Sequence, residues 1–473
     1  MNPDRTSIEQ RASELKKELR LPDLVLMQVL LVITETCIGI AARQGSTHLV
    51  FWAIGILIFF VPLAVVVRFL GAELPREGGV YQWARVGLGA FFGFLAAWNF
   101  WIYSIFLTSS LGISIAESLA YAGGPSSSWM TTSFWLVTAV NVCVFAFILA
   151  VDIQGFKIGK WVSHFGTAAL LGVQFTLVVL LFIRPHHQIP PQAPFAWSMP
   201  PLTILSLNLL TKMSFTGLNG GEQIAVFAGE MRNPASIIGR SIWIAAPVIA
   251  ALYILSTGSL LSYVPAGNID LAAPVSQLLH AALGVSSTNW IAVSGVCAIV
   301  VLSIAQYTVI VAETSRLPLV AGWDGLLPTW FTRLHPRHCT PTCSLWFVVL
   351  CCFGLATVSL IGVARQEAFQ LVITAAQACY GLYYLVLFSI PLVGRLPPRS
   401  KPGPLVRLSA AVGMATTLAA VVLQVVPIID VPHPWRYGAK VAGALLGANL
   451  IAVVLYRRAL STGVPAEAVA SPS

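Results

Sequence analysis

Hydrophobic residues occur in long, uninterrupted stretches along this chain rather than in the short periodic patterns of soluble helices and strands. About twelve stretches contain roughly 20 or more mostly apolar residues, the length that an α-helix needs to cross a ~30 Å hydrocarbon layer. We therefore predict an all-α polytopic membrane protein with about twelve transmembrane helices. Their approximate limits are 24–43, 48–71, 86–120, 131–151, 157–183, 202–229, 238–264, 289–319, 343–363, 367–391, 406–428 and 437–458.

The first apolar stretch is interrupted near its middle by a carboxylate. Its segment "VITETCIGIAARQGS" (residues 32–46) contains Glu35 together with Thr34, Thr36 and Gly39. Counted from the start of the stretch at ~1.5 Å per residue, Glu35 lies about 16 Å deep, where a charge costs at least about 2.5 kcal/mol. Small and hydroxyl residues satisfy backbone groups where a membrane helix is broken, so we expect a break here.

The sixth stretch repeats this pattern. Within "SFTGLNGGEQIAVFAGEMRNP" (residues 214–234), Asn219, Gly220 and Gly221 are poor helix formers, and Glu222 follows them directly. We therefore expect a second helix break near the middle of the membrane. Breaks at corresponding positions in two five-span halves are where inverted-repeat transporters bind their substrates, because helix ends offer amides to anions and carbonyls to cations.

Composition and charge agree with a membrane protein and indicate its orientation. Of 473 residues, 57% are hydrophobic and 10% are charged, whereas soluble proteins have about 25% charged residues. Placing the N-terminus inside puts 21 of the 27 Lys and Arg residues on the cytoplasmic side. We expect a multi-pass protein of the cell (plasma) membrane with both termini cytoplasmic and no cleaved signal peptide. The net charge of +9 then reflects topology and contact with anionic membrane lipid, not nucleic-acid binding.

No sequence motif points to an enzyme, a cofactor or a metal. We find no phosphate-binding loop, nucleophile elbow or dinucleotide fingerprint. The eight cysteines lie in or beside predicted spans and a cytoplasmic loop, and they indicate no disulfide framework. The stretch "HPRHCTPTC" (residues 335–343) contains His and Cys, but its spacing matches no standard metal signature. We therefore predict neither catalytic activity nor a bound cofactor or metal.

Three segments, in this order and at these span positions, carry a resemblance to a known family. "ELPREGGVYQWARVGLGAFFGFLAAWNFW" (73–101) is similar to a P-x-x-G-G-x-Y stretch that leads into a third span. "LNGGEQIAVFAGEMRNP" (218–234) is similar to a sixth-span pattern, F-x-G-x-E followed by E-x-x-N-P. "ETSRLPLVAGWDGLLPTWFTRLHPRHCTP" (313–341) looks like the loop after span eight, with its S-R, D-G-x-x-P and T-P. Together they resemble the amino acid–polyamine–organocation (APC) superfamily of transporters.

The resemblance runs from about Leu24 to the tenth span. It implies a leucine-transporter-like, five-plus-five inverted repeat followed by two accessory helices. The domain boundaries expected on this basis are a cytoplasmic N-terminal tail (1–22), a first five-helix repeat (23–183), a second, inverted repeat (202–391), two accessory helices (405–458) and a cytoplasmic C-terminal tail (459–473).

The resemblance also implies where the substrate binds. The carboxylate of an amino acid is expected at amides of the first break and its ammonium group at carbonyls of the sixth. This chain departs from the family pattern, because "TETCIG" replaces a glycine-rich first break and Leu218 replaces a gating aromatic residue, for which Phe215 lies one turn earlier. Trp98, Asn99 and Trp101 are expected either to add a wall to the site or to pack. The predicted site residues are Thr34, Glu35, Thr36, Cys37, Gly39, Ser214, Phe215, Gly217, Leu218, Asn219, Gly220 and Glu222.

Two carboxylates beside one cavity repel each other, so that one of them is able to exchange a proton near neutral pH. Glu222 and Glu35 are therefore candidates for proton coupling, and the resemblance implicates Glu222 in particular. Lys160 and His164 on the fifth span are further candidates, as substitutes for the sodium ion that some relatives bind between spans one and eight.

Three further ionisable residues are expected to have structural roles. Lys212 lies within the sixth span, where it either pairs with a carboxylate or extends its amine toward the interface. Glu313 and Arg316 are expected to fix the cytoplasmic gate around the eighth span.

These observations predict a secondary active transporter that moves an amino acid or related amine by alternating access, through proton-coupled symport or exchange. Two alternatives remain open. Paired Glu35 and Glu222 would suit a polyamine or other cationic amine, whose additional ammonium groups they complement. A substrate sensor would keep the same fold without transport. The protein is expected to be a monomer or a homodimer.

Overall fold

A computed structural model of the chain describes residues 21–74, 79–183, 194–220, 222–223, 234–283, 290–320, 330–331, 333–335, 340–361, 364–396 and 401–461. Every regular element in this part of the chain is helical, which confirms the predicted all-α fold. The α-helices are α1 (Leu21–Val32), α2 (Glu35–Ala42), α3 (His48–Gly55), α4 (Val61–Glu73), α5 (Val80–Leu88), α6 (Ala90–Ser109), α7 (Leu111–Gly123), α8 (Trp129–Thr132), α9 (Phe134–Gln154), α10 (Phe156–Phe182), α11 (Ile204–Gly217), α12 (Pro234–Tyr263), α13 (Pro274–Leu283), α14 (Trp290–Val320), α15 (Thr342–Ser359), α16 (Arg365–Val393), α17 (Pro404–Leu423) and α18 (Pro434–Ser461).

The helices correspond to the predicted spans. Within the described ranges, ten helices are long and apolar enough to cross a membrane, and the bent pair α1 and α2 adds an eleventh. Helix α11 forms the first part of the predicted sixth span, 202–229, and most of the second part lies outside the described residues. The chain is therefore a polytopic membrane protein. The predicted division into two repeats, two accessory helices and two tails stays a prediction.

Helix α16 is the central span. Of its apolar stretch, 83% is buried inside the protein, against 17% for α18. It packs against α6, α17 and α18, and these neighbours cover its apolar side chains. The predicted accessory helices thus lie against the central span, with α18 at the periphery of the bundle.

The first span is broken halfway along its length, as predicted. Helix α1 ends at Val32, Thr34 has extended backbone angles (φ −121°, ψ 142°), and α2 begins at Glu35 with a bend of 58°. Val32, Ile33 and Thr34 are all β-branched, which lowers their helix propensity. Two helix ends therefore meet beside Glu35.

The sixth span is also broken, as predicted. Thr203 and Ser206 start α11 with a capping box, in which each side chain accepts a hydrogen bond from the other residue's backbone amide (3.1 and 2.9 Å). The helix ends at Gly217, and Gly220 has a φ of +86°, a left-handed conformation that favours glycine. The described backbone after Gly217 is thus non-helical where Asn219 and Gly220 lie.

The two broken spans approach each other closely at Gly217. A Cβ atom at this position would lie 2.4 Å from the sulfur of Cys37 and 2.9 Å from the ring of Trp52. Helices α2 and α11 pack against each other here. A residue without a side chain is therefore required for the two breaks to lie side by side.

We expect Gly217→Ala to lower the thermal unfolding midpoint of the detergent-solubilised protein, by an amount equivalent to the ~1–3 kcal/mol cost of overpacking. Gly172→Ala in α10 is the matched control, since nothing lies within 4 Å of the added Cβ. The control should stabilise the helix by up to about 1 kcal/mol. Equal midpoints for the two variants would contradict the close approach at Gly217.

Candidate substrate-binding site

A cavity lies where the two helix breaks meet. Its volume is ≈ 70 Å³, which is room for about five water-sized groups. The breaks supply part of its lining, and α6, α7, α14 and α16 supply the rest. The lining residues are Leu31, Val32, Thr34, Glu35, Thr36, Thr216, Asn219, Gly220 and Gln223 from the breaks, and Phe100, Tyr103, Ser104, Leu107, Ser114, Ser303, Gln306, Tyr307, Ile310, Glu313, Phe369, Ile373 and Gln377 from the other helices.

Tyr253 of α12 bridges the two sides of the first break. Its hydroxyl donates to the carbonyl of Val32 (2.6 Å) and accepts from the amide of Thr34 (3.0 Å). The tyrosine ring is fully buried and stacks on Trp52 with ring centroids 4.9 Å apart. One hydroxyl thus satisfies a donor and an acceptor that the break removes from the helix.

Gln306 of α14 satisfies two further carbonyls of the first break. Its side-chain amide nitrogen donates to Leu30 (2.8 Å) and to Ile33 (2.9 Å), at the C-terminal end of α1. Both hydrogens of this amide are therefore used. The end of α1, where the helix dipole is negative, is held by a neutral amide instead of an ion.

The sixth break is held by tyrosines of α16. The hydroxyl of Tyr384 accepts from the amide of Gly220 (3.2 Å) and donates to one oxygen of Glu222 (2.9 Å). Tyr380 donates to the same oxygen (2.6 Å) and accepts from the side chain of Gln223 (3.1 Å). A hydrogen-bonded chain therefore runs from Gln223 in the cavity through Tyr380 to Glu222.

Two carboxylates line the cavity. Glu35 Oε1 lies 3.2 Å from the hydroxyl of Ser114. Glu35 Oε2 and Glu313 Oε1 are buried and have no hydrogen-bond partner in the described part of the chain. None of the described lining residues is basic. Because unpaired buried carboxylate oxygens are costly, this arrangement favours a proton or a cationic group in the cavity.

Five of the predicted site residues line the cavity, namely Thr34, Glu35, Thr36, Asn219 and Gly220. Glu222 does not. It lies behind Tyr380, whose ring stacks at 4.1 Å on Tyr103, and Tyr103 forms the cavity wall.

Six other predicted residues pack between helices. The thiol of Cys37 donates to the carbonyl of Met213 (3.7 Å), which joins α2 to α11. Phe215 packs between Phe59 and Tyr384, with ring centroids 4.8 and 5.7 Å away. These residues support the breaks and do not line the cavity; they are Cys37, Gly39, Ser214, Phe215, Gly217 and Leu218.

The predicted third-span residues Trp98, Asn99 and Trp101 do not line the cavity. Trp98 donates to the carbonyl of Ala448 (3.0 Å), and the amide of Asn99 donates to Asn449 Oδ1 (2.8 Å). Trp101 stacks on a phenylalanine of α15. Of the two expectations for these residues, the geometry agrees with packing.

Two of the predicted basic residues, His164 and Lys212, do not line the cavity. His164 is exposed on α10, and the side chain of Lys160 is outside the described residues. Lys212 is buried and donates to Gln424 (2.6 Å) and to Thr374 (3.1 Å). Lys212 therefore joins α11 to α16 and α17 without a carboxylate among these partners, in agreement with a structural role.

Several lining residues were not predicted as site residues. Glu313, which the sequence suggested for a cytoplasmic gate, lines the cavity together with Ser303, Gln306 and Tyr307. With Ile310, which also lines the cavity, these residues recur every three or four positions along an apolar span, at 303, 306 and 307, 310 and 313, and this periodicity marks one helix face. The signal was present in the sequence of α14.

A helical membrane protein with a polar cavity between two mid-span helix breaks has the architecture of a secondary transporter. A sequence model described as amino acid permease matches residues 24–444. The chain therefore belongs to the amino acid permease family, within the APC superfamily.

Its curated relatives are transporters. An uncharacterized transporter of Legionella pneumophila is 26% identical over 435 residues, which cover 88% of this chain and 91% of the relative. The branched-chain amino acid permease BcaP of Bacillus subtilis is 24% identical over 70% of this chain and 73% of its own. The probable agmatine/putrescine antiporter AguD of Lactococcus lactis is 22% identical over 67% of each chain. The protein is thus a transporter of amino acids or amines, not an enzyme.

We expect Tyr253→Phe to destabilise the protein and reduce transport, because removing the hydroxyl leaves Val32 and Thr34 of the first break without their partner. The expected loss of unfolding free energy is about 1–3 kcal/mol, the cost of an unsatisfied buried polar group. Thermal unfolding in detergent measures it. Tyr456→Phe is the control, since no hydrogen bond of its hydroxyl is found in the described part of the chain. Matching midpoints for both variants would show that Tyr253 does not hold the break.

Proposed function

We propose that the protein is a proton-coupled secondary active transporter, which moves a small amino acid or amine across the cell membrane by alternating access. The observation that carries this proposal is the position of Glu35. Its carboxylate lines the cavity at the first helix break, and Oε2 has no partner in the described part of the chain. A proton and a substrate ammonium group compete for this one negative charge. Binding of one is therefore coupled to release of the other.

The two helix ends suit the two charged groups of an amino acid. Helix α2 begins at Glu35, and Thr36 of its first turn lines the cavity. First-turn amides carry the positive end of the helix dipole and bind carboxylates. Thr216, Asn219 and Gly220 bring backbone of the sixth break to the same cavity, where carbonyls are suited to an ammonium group. The small cavity favours a short side chain over a large aromatic one.

The contacts of Gln306 support protons over sodium as the coupling ion. Carbonyls at the C-terminal end of a broken half-helix are typical sodium ligands in transporters of this architecture. Here two such carbonyls, of Leu30 and Ile33, already accept the side-chain amide of Gln306. We therefore expect accumulation to follow a pH gradient and to be unaffected by a sodium gradient.

Glu35 is a more direct candidate for the coupling proton than Glu222. Glu222 accepts two tyrosine hydroxyls and lies behind the cavity wall. Its contacts favour a role in holding the sixth break and in sensing the substrate through Gln223 and Tyr380.

A cationic amine is the second candidate substrate, and the position of Glu313 favours it. Tyr307 and Glu313 both line the cavity from α14, six positions apart in the sequence. This places Glu313 about 9 Å farther along the helix than Tyr307. Glu35 and Glu313 would complement the two ends of a diamine, and the name of AguD mentions agmatine and putrescine. The name of BcaP instead favours a neutral, branched-chain amino acid.

The proposed orientation places both termini in the cytoplasm. It is supported by the 21 of 27 basic residues that fall on the cytoplasmic side of the predicted topology.

The test is uptake and counterflow in proteoliposomes, with neutral, acidic and basic amino acids, putrescine and spermidine. We expect Glu35→Gln to lose proton-driven accumulation and to keep counterflow of neutral substrates, because glutamine has no exchangeable charge. Cationic substrates should bind about 10- to 100-fold more weakly, the equivalent of the ~1.5–3 kcal/mol of a hydrogen bond to a charged group.

Glu73→Gln is the matched control, since Glu73 is exposed at the end of α4. It should behave like the wild type. A Glu35→Gln uptake profile from about pH 5 to about pH 8 that overlays the wild type for every substrate would refute the role of Glu35. Absence of counterflow in folded wild-type protein would favour a sensor.

A further inference from the structure

A short segment between α12 and α13, residues 269–273 (the lid segment), packs beside the cavity and bonds one of its lining residues, Ser114. Ala272 in this segment is fully buried and belongs to the same apolar cluster as Phe369 and Ile373. Both of these α16 residues line the cavity. The lid segment therefore shares an apolar cluster with two residues of the cavity lining.

Polar contacts tie the lid segment to the neighbouring spans. Arg43, after the end of α2, donates to the carbonyl of Ile269 (2.8 Å). Tyr121 of α7 donates to one oxygen of Asp270 (3.1 Å), and the other oxygen accepts from the amide of Ala272 (2.9 Å). The amide of Ala272 is thus satisfied within the lid segment, and its carbonyl needs a donor from elsewhere.

Ser114 of α7 provides this donor, and it also contacts the cavity carboxylate. Its Oγ lies 2.7 Å from the carbonyl oxygen of Ala272 and 3.2 Å from Glu35 Oε1. Within the described residues, it is the only donor to that carbonyl. A serine hydroxyl has one proton to donate and two lone pairs that accept. It therefore cannot donate to both oxygens at once.

The protonation state of Glu35 decides which oxygen receives the proton. If Glu35 is protonated, its O–H donates to Ser114, and Ser114 donates to Ala272, so every group is satisfied. If Glu35 is ionised, two acceptors compete for one proton, and the charged one forms the stronger hydrogen bond. The carbonyl of Ala272 then loses its partner while it is buried, which disfavours the closed position of the lid segment.

We propose that Ser114 is the positioning residue that couples the charge state of Glu35 to the lid segment, so that the lid segment closes only when a proton or a substrate ammonium group neutralises Glu35. This inference rests on the proposed function of Glu35. An ammonium group that donates to Glu35 has the same effect as a proton, because the carboxylate then no longer needs the proton of Ser114. This arrangement prevents the lid segment from closing over an empty, ionised site. Such closure would allow the carrier to reorient without a bound proton or substrate.

Other ionisable groups surround Glu35 and Ser114, and their charges also act on the charge state of Glu35. Asp270 lies in the lid segment itself. Glu117 on α7 forms an ion pair with Arg365 at the start of α16. The ionisable groups around Glu35, Ser114 and the lid segment on the packed elements are Arg43 after α2, Tyr103 on α6, Glu117 and Tyr121 on α7, Tyr253 on α12, Asp270 in the lid segment, His280 on α13, Tyr307 and Glu313 on α14, and Arg365 on α16. Of these, none bonds both the carboxylate of Glu35 and the lid segment in the described structure.

The test measures opening of the lid segment directly, in purified protein in nanodiscs without substrate. Ala273 is fully buried beside Ala272, so a cysteine introduced there by Ala273→Cys reacts with a maleimide only when the lid segment opens. Gly267→Cys is the reference, since Gly267 is exposed on the same loop with nothing within 4 Å of an added Cβ. The ratio of the two rates cancels the intrinsic effect of pH on thiol reactivity, and wild-type protein gives the labelling background.

We expect this ratio to rise about three- to tenfold between about pH 5.5 and about pH 8, the equivalent of one net hydrogen bond. In the Glu35→Gln background it should stay low at every pH, because the amide donates to Ser114 as a protonated carboxyl does. In the Ser114→Ala background it should be high at every pH, and Ser114→Thr, which keeps the hydroxyl, should restore the pH dependence.

A pH-independent ratio in otherwise unchanged protein would overturn the proposal. So would an unaltered rise with pH in the Glu35→Gln background, a result that needs no Ser114 variant to fold. Counterflow measured on the same proteins reports transport separately, so that a failed lid response with intact proton-coupled transport refutes the role of Ser114 and leaves the proposed function standing.

Discussion

The structure depends on one constraint: backbone polar groups that leave a helix inside a membrane must find partners within the protein, because lipid offers none. This chain breaks two spans and satisfies the freed groups with side chains of three others. Tyr253 and Gln306 bond the first break, and Tyr384 bonds the sixth. The broken segments are therefore held in one place by α12, α14 and α16. The close contact at Gly217 brings the two breaks together.

The charge in the cavity follows from the same contacts. Since neutral side chains already satisfy the bonded carbonyls of the first break, the negative groups that remain for a ligand are carboxylates. Glu35 and Glu313 each keep a buried oxygen without a partner in the described part of the chain, whereas Glu222 is bonded by two tyrosines. A proton and an amine are the two partners that suit such oxygens. Membership of the amino acid permease family agrees with this chemistry.

Much of the fold was predictable from local sequence, and less of the site. Span length identifies the helices, the small and hydroxyl residues around Glu35 identify the first break, and the glycines after Asn219 identify the second, because these effects act within a few residues. Which side of a broken helix faces the cavity depends on long-range packing. Cys37 and Phe215 were therefore expected in the site but pack between helices. Gln306 and Glu313 lie more than 80 residues from either break in sequence, so only the folded chain brings them to the cavity.

If substrate binds in the cavity between the two breaks, it must protect a cysteine placed there from alkylation, which is the most direct test. Thr36 lines the cavity, so Thr36→Cys places a thiol beside the proposed substrate. A substrate identified by counterflow, at about ten times its Kd, should slow alkylation of this thiol about tenfold by mass action. It should leave a cysteine at the exposed Gly267 unaffected. Unchanged alkylation of Thr36→Cys, in a protein that still transports this substrate, would place the binding site elsewhere and contradict the account.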